Sequence, residues 1–177
     1  MTKTSRLLVF FVILSGCEQA PYELWLDDAC TADDREIIRD SVATLNRWTR
    51  QEIGEHLIEI AGIDSVDHSE ALSPVGLDPN AGRDFVVCMK LDELPADEQE
   101  RWEPLFGWGV AHGDVILFIE PLQPATFRRR VMHELGHYIG LGHVSKTDPR
   151  PAIMHAHPTA TADGYTVADT ELLCSIY

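Results

Sequence analysis

The run His133-Glu134-Leu135-Gly136-His137-Tyr138-Ile139-Gly140-Leu141-Gly142-His143 constrains this chain more than any other feature. Histidines at i and i+4 of a helix project from one face a turn apart, so His133 and His137 can reach one metal ion at the roughly 2.0–2.1 Å of a zinc–nitrogen bond. A third ligand is needed if one of four coordination positions is to stay open for water. Gly140 lets the chain leave the helix through a left-handed conformation that a Cβ resists, and so turn back to present His143. Glu134, beside His133, then faces the water and can take its proton as general base. Five specified positions, three of them histidine, arise by accident in about one chain of this length in 10⁵.

The elements around that motif are legible from periodicity and punctuation. Tyr22 to Leu26 alternates as a strand, and Thr31 is a helix N-cap ahead of Asp33 and Asp34, with Ile38, Val42 and Leu45 at helical spacing up to about Gln51. Strands are expected at residues 56–63 and 84–90, and the strongest strand signal is Gly113, Asp114, Val115, Ile116, Leu117, Phe118 and Ile119. Residues 125–139 read as the helix that carries the motif, residues 145–166 as loop, and residues 167–176 as a short closing helix. The stretch from Asp78 to Asp84 lacks the glycine and glutamate of a calcium loop, so structural Ca²⁺ has no clear motif and a plain turn is expected.

Residues 1–16 carry Lys3 and Arg6, then an apolar run from Leu7 to Leu14, too short for the roughly 20 residues of a membrane span. The layout is that of a signal peptide, and the Leu14-Ser15-Gly16-Cys17 ending resembles the lipobox of bacterial lipoproteins. That resemblance implies export, cleavage before Cys17, acylation of Cys17, and attachment to the outer membrane or cell surface. Losing Lys3 and Arg6 takes the formal net charge from −15 to −17. A surface this acidic repels phosphate backbones, which excludes nucleic acid as a partner and leaves membrane attachment to the lipid. Among Cys30, Cys88 and Cys174 one disulfide can form in an oxidising compartment, with the pairing open.

The extended motif with its glycine and third histidine resembles the metzincin clan of zinc metallopeptidases. Met154, in Ala152-Ile153-Met154-His155, matches the clan's Met-turn, where the methionine forms a hydrophobic floor beneath the metal. The segment from Asp169 to Tyr177 resembles the closing helix of the matrixin branch. Two departures stand out: Val144 follows the third histidine where matrixins usually carry serine, and Ala156 occupies the place of the tyrosine ligand of the astacin and serralysin branches. No cysteine-switch propeptide is recognisable around Cys30. His155 and His157 are expected to stay off the metal, and Tyr165 to pack.

The resemblance implies an α+β fold over residues 17–177, with a twisted mixed sheet, two long helices, the active-site helix, the Met-turn and a C-terminal helix. It also implies one catalytic Zn²⁺ on His133, His137 and His143, and hydrolysis of a polypeptide substrate with Glu134 as base by a chain expected to act as a monomer. The strand at 113–119 is expected to be the sheet edge on which an extended peptide pairs. Two alternatives remain at this stage: a surface lipoprotein that binds zinc or a partner without turnover, and a metallohydrolase acting on a non-peptide amide.

Overall fold

The computed structural model describes residues 20–66, 83–90, 109–112, 115–120, 124–156 and 162–177, with the single positions 92, 96 and 99. The leader at 1–16, Cys17, the calcium-loop stretch up to residue 82, Gly113, Asp114 and His157 lie outside the described residues.

Strand β1 (Tyr22–Asp27) buries Leu24 and Leu26 completely and runs into helix α1 (Ala32–Glu52). Thr31 caps that helix reciprocally: its hydroxyl accepts from the Asp34 amide at 3.2 Å while the Asp34 carboxylate accepts from the Thr31 amide. Ile38, Val42 and Leu45 then fall on the buried face. Strand β2 (Ile58–Asp64) returns parallel to β1, and Asn46 docks it onto α1. The Asn46 amide oxygen accepts from Leu57 N and Ile58 N at 3.1 Å, and its nitrogen donates to the Ile58 carbonyl at 2.7 Å.

Three further strands complete the sheet: β3 (Asp84–Lys90), β4 (Gly109–His112) and β5 (Val115–Glu120). The order is β2-β1-β3-β5-β4, with β2, β1, β3 and β5 parallel and β4 antiparallel to β5. The molecule is thus α+β around a mixed sheet. Strand β3 is buried at Phe85, Val86, Val87, Cys88 and Met89, as a parallel strand covered on both faces must be. A disulfide joins Cys30, just ahead of α1, to Cys88 in this strand, and Cys174 is a free, exposed thiol.

One expectation is corrected here. The resemblance implies a sheet edge at Gly113 to Ile119, but β5 is an inner strand, paired with β3 along its length and with β4 from Val115 to Phe118. The edge on this side is β4, four residues containing Gly109 and Ala111, too short and too small in side chain to register as a strand by periodicity.

Helix α2 (Pro124–Tyr138) packs against α1 and β4, with Phe127, Val131, Met132 and Leu135 in the common core. The described residues between α2 and α3 (Val167–Leu173) form no further helix or named strand, and α3 ends earlier than expected, continuing as turns through Ile176. No helix among the described residues is long and apolar enough to cross a membrane.

Candidate metal centre

The last two turns of α2 present His133, Glu134 and His137. Gly140, at φ +93°, ends the helix: its amide donates to the His137 carbonyl at 2.9 Å, and the Leu141 amide reaches back to Gly136 O at 2.9 Å. These two bonds form a Schellman cap, which requires the left-handed residue that the sequence supplies as glycine. The reversal brings His143 back over α2. It is held there because the Val144 amide donates to the Met154 carbonyl at 2.9 Å, and Val144 also bridges His155.

The three imidazoles converge. The His137 Nε2 lies 3.1 Å from His133 Nε2 and 3.1 Å from His143 Nε2, and the third separation is 3.3 Å. Donors at 2.0–2.1 Å around a tetrahedral ion lie ~3.3–3.4 Å apart, so this triangle has the dimensions of three corners of such a site. The tautomers agree. His133 Nδ1 donates to the Ile153 carbonyl at 2.7 Å and His137 Nδ1 to the Leu141 carbonyl at 2.8 Å, which leaves a lone pair on each Nε2. Two lone pairs 3.1 Å apart repel each other, and a cation between them turns that repulsion into attraction.

Electrostatics keep His133 neutral. Desolvation pushes the His133 pKa from 6.5 down to about 4, and His137 and His143 act in the same direction against the Ile153 carbonyl and Asp169. His133 and His137 are half-buried and His143 is exposed, so the cluster opens to solvent on one side. Among the described residues no fourth histidine, cysteine or carboxylate joins the group. Glu134, next to His133, is buried at 7% exposure.

Met154 is wholly buried, its side chain against Gly136 of α2. A Cβ on Gly136 would come within 2.3 Å of the Met154 sulfur, which explains a glycine inside this helix despite its cost of about 1 kcal/mol relative to alanine. The turn that carries Met154 is fixed by Asp169, itself fully buried on α3. The Asp169 carboxylate accepts from Ile153 N at 3.1 Å, Met154 N at 2.9 Å and Thr166 N at 2.8 Å, and from the Thr166 hydroxyl at 3.0 Å. A chain of contacts therefore runs from Asp169 through the Ile153 peptide to His133.

The three histidines, Glu134 and Met154 stand out in the sequence, but three supports of the cluster do not. These are Gly136, the Leu141 and Ile153 carbonyls, and the tie from Asp169 to the turn at 153–154. Thr166-x-x-Asp169 carries the spacing of a capping box, a local signal that could have drawn attention to Asp169. Tyr165 does not enter the site: its hydroxyl donates to Met132 O at 2.7 Å and its ring stacks on Trp48 at 4.2 Å. His155 also points elsewhere, with Nε2 donating to the Arg150 carbonyl at 2.8 Å.

Comparison of the chain with protein-family models, with curated proteins and with solved structures returns no match in any of the three.

Proposed function

We propose that this chain is a zinc-dependent endopeptidase of the metzincin kind. The observation that carries the reading is the triangle of Nε2 atoms at 3.1–3.3 Å, two of them oriented by Nδ1–H bonds to backbone carbonyls, on a helix that also bears Glu134. An all-imidazole donor set with one side open suits zinc in a catalytic rather than a structural role. When bound, the ion supplies Lewis acidity, lowering the pKa of a water towards about 7 and polarising the scissile carbonyl.

The protein's own groups do the rest. Glu134 takes the proton of the attacking water and passes it to the departing amine. Its burial favours that role, because a carboxylate poorly solvated by water is a stronger base than one in bulk solvent. Substrate positioning belongs to β4, whose outer side carries no strand among the described residues and which packs against α2. An extended peptide added there gains backbone hydrogen bonds largely independent of its side chains, which favours cleavage within flexible segments. The Cys30–Cys88 disulfide supports an oxidising compartment, in keeping with export and anchoring through Cys17.

The test is hydrolysis of casein and of a broad peptide library by the soluble chain from residue 18 onward, loaded with one equivalent of zinc. Glu134→Gln should retain the metal and lose about 10²–10⁴-fold in kcat. A wild type that binds zinc yet cleaves no better than this variant makes the chain a binding module instead.

A further inference from the structure

The sheet has a second edge, β2, at the opposite end of the strand order from β4. Between β2 and the outer face of α1 lies a groove of about 700 Å³. Its walls carry Arg39, Arg47, Arg50 and His56, with Glu59 the single carboxylate of the lining. Val42, Ile58 and Ile60 supply its apolar floor.

Three arginines together are unexpected on a chain of net charge −15. All three are exposed, and none of the three forms a salt bridge among the described residues. Arg50 donates to His56 Nδ1 at 3.0 Å, a contact that leaves its charge uncompensated. Positions 39, 47 and 50 share a helical face, and eleven residues of helix span ~16 Å.

Among the described residues no strand pairs with β2 on the side away from β1. Ile58 directs its N–H and C=O away from β1, and Asn46 takes both. Alternation along a strand returns the same orientation at Ile60, two residues on. An outward-facing backbone at Ile60 beside a row of guanidinium groups outside any salt bridge matches one class of occupant, an extended segment with carboxylates on it.

We infer that the α1–β2 groove is a second, non-catalytic docking site that takes an extended acidic polypeptide segment, which meets the β2 edge at Ile60 while Arg39, Arg47 and Arg50 hold its carboxylates. Five residues of extended chain cover ~16 Å, the same run as the three arginines, and alternate residues put carboxylates on one side. The overall negative charge of the protein does not forbid this. At 0.15 M ionic strength the Debye length is about 8 Å, so remote carboxylates are screened while guanidinium groups in contact are not.

The experiment is fluorescence anisotropy at 0.15 M salt with a labelled eight-residue peptide of alternating glutamate and valine. It uses the Glu134→Gln background, so that hydrolysis cannot consume the probe. Saturable binding is expected, weakened at least tenfold by Arg39→Ala, Arg47→Ala and Arg50→Ala together. These are exposed positions, where substitution changes stability little. On the unaltered groove, replacing the peptide's glutamates by lysines should abolish binding, and a central proline should weaken it. Absence of binding, equal binding by the triple variant, or equal binding of the lysine peptide overturns the proposal. So does a groove that takes only inorganic phosphate or vesicles of anionic phospholipid. Because the readout is binding, it stands or falls separately from proteolysis.

Discussion

In the sheet and α1, order comes from repetition: Leu24 and Leu26 on β1, Ile38, Val42 and Leu45 on α1, and the continuous run from Phe85 to Met89 on β3 all enter one core. In residues 139–177 almost nothing repeats. There the Schellman cap at Gly140, the bond from Val144 to Met154 and four hydrogen bonds to one buried carboxylate hold the chain, and the three clustered histidines hang on those contacts. The contrast teaches where stability and precision reside. Apolar burial is non-directional and tolerates small shifts, whereas a metal triangle needs directional bonds to set each imidazole to a fraction of an ångström.

If the division is real, damage to one half should separate from damage to the other. The largest effect is expected from replacing Cys30 and Cys88 by serine, because the bridge closes a 58-residue separation in the sheet half. Chain entropy puts that loss at about 4 kcal/mol. Thermal unfolding should register it, while zinc affinity measured well below the lowered midpoint should hardly change.

Asp169→Ala strikes the other half. It strips the acceptor from three buried or part-buried amides, at a cost of roughly 3–4 kcal/mol. Here zinc affinity should fall as well, since the Ile153 carbonyl that orients His133 is no longer fixed. Equal zinc affinity in Asp169→Ala and wild type would break the comparison.

A smaller effect follows from pH. In the metal-free protein the His133 pKa is about 4, against 6.5 when unfolded. The unfolded chain therefore holds that proton more tightly. This contribution to stability is complete above pH 6.5 and is lost as pH falls towards 4, by roughly 2–3 kcal/mol after allowing for partial exposure. Denaturant titrations across that range should show the slope, and His133→Gln should flatten it.

What could be read from the sequence follows the same division. Thr31 as a cap, α1, β1 and β3 announce themselves because caps and periodicity are local, and the motif is local too: i, i+4, a left-handed glycine and three more residues. The neighbours of a strand are not. β5 carries the strongest strand signal, and only the resemblance makes it an edge; its position depends on β4, whose four residues give no periodicity. Likewise nothing near Cys30 names Cys88 as its partner, and nothing near Met154 names Asp169 as its support, because each pair is distant in sequence and meets only in the fold.

X-ray absorption at the zinc edge of the soluble protein tests the centre most directly. Three nitrogen scatterers at about 2.0–2.1 Å and one light oxygen scatterer from solvent are expected, with one nitrogen lost in His143→Ala. A shell containing sulfur, or a fourth protein ligand in the open position, would contradict the metal site on which the proposed activity rests.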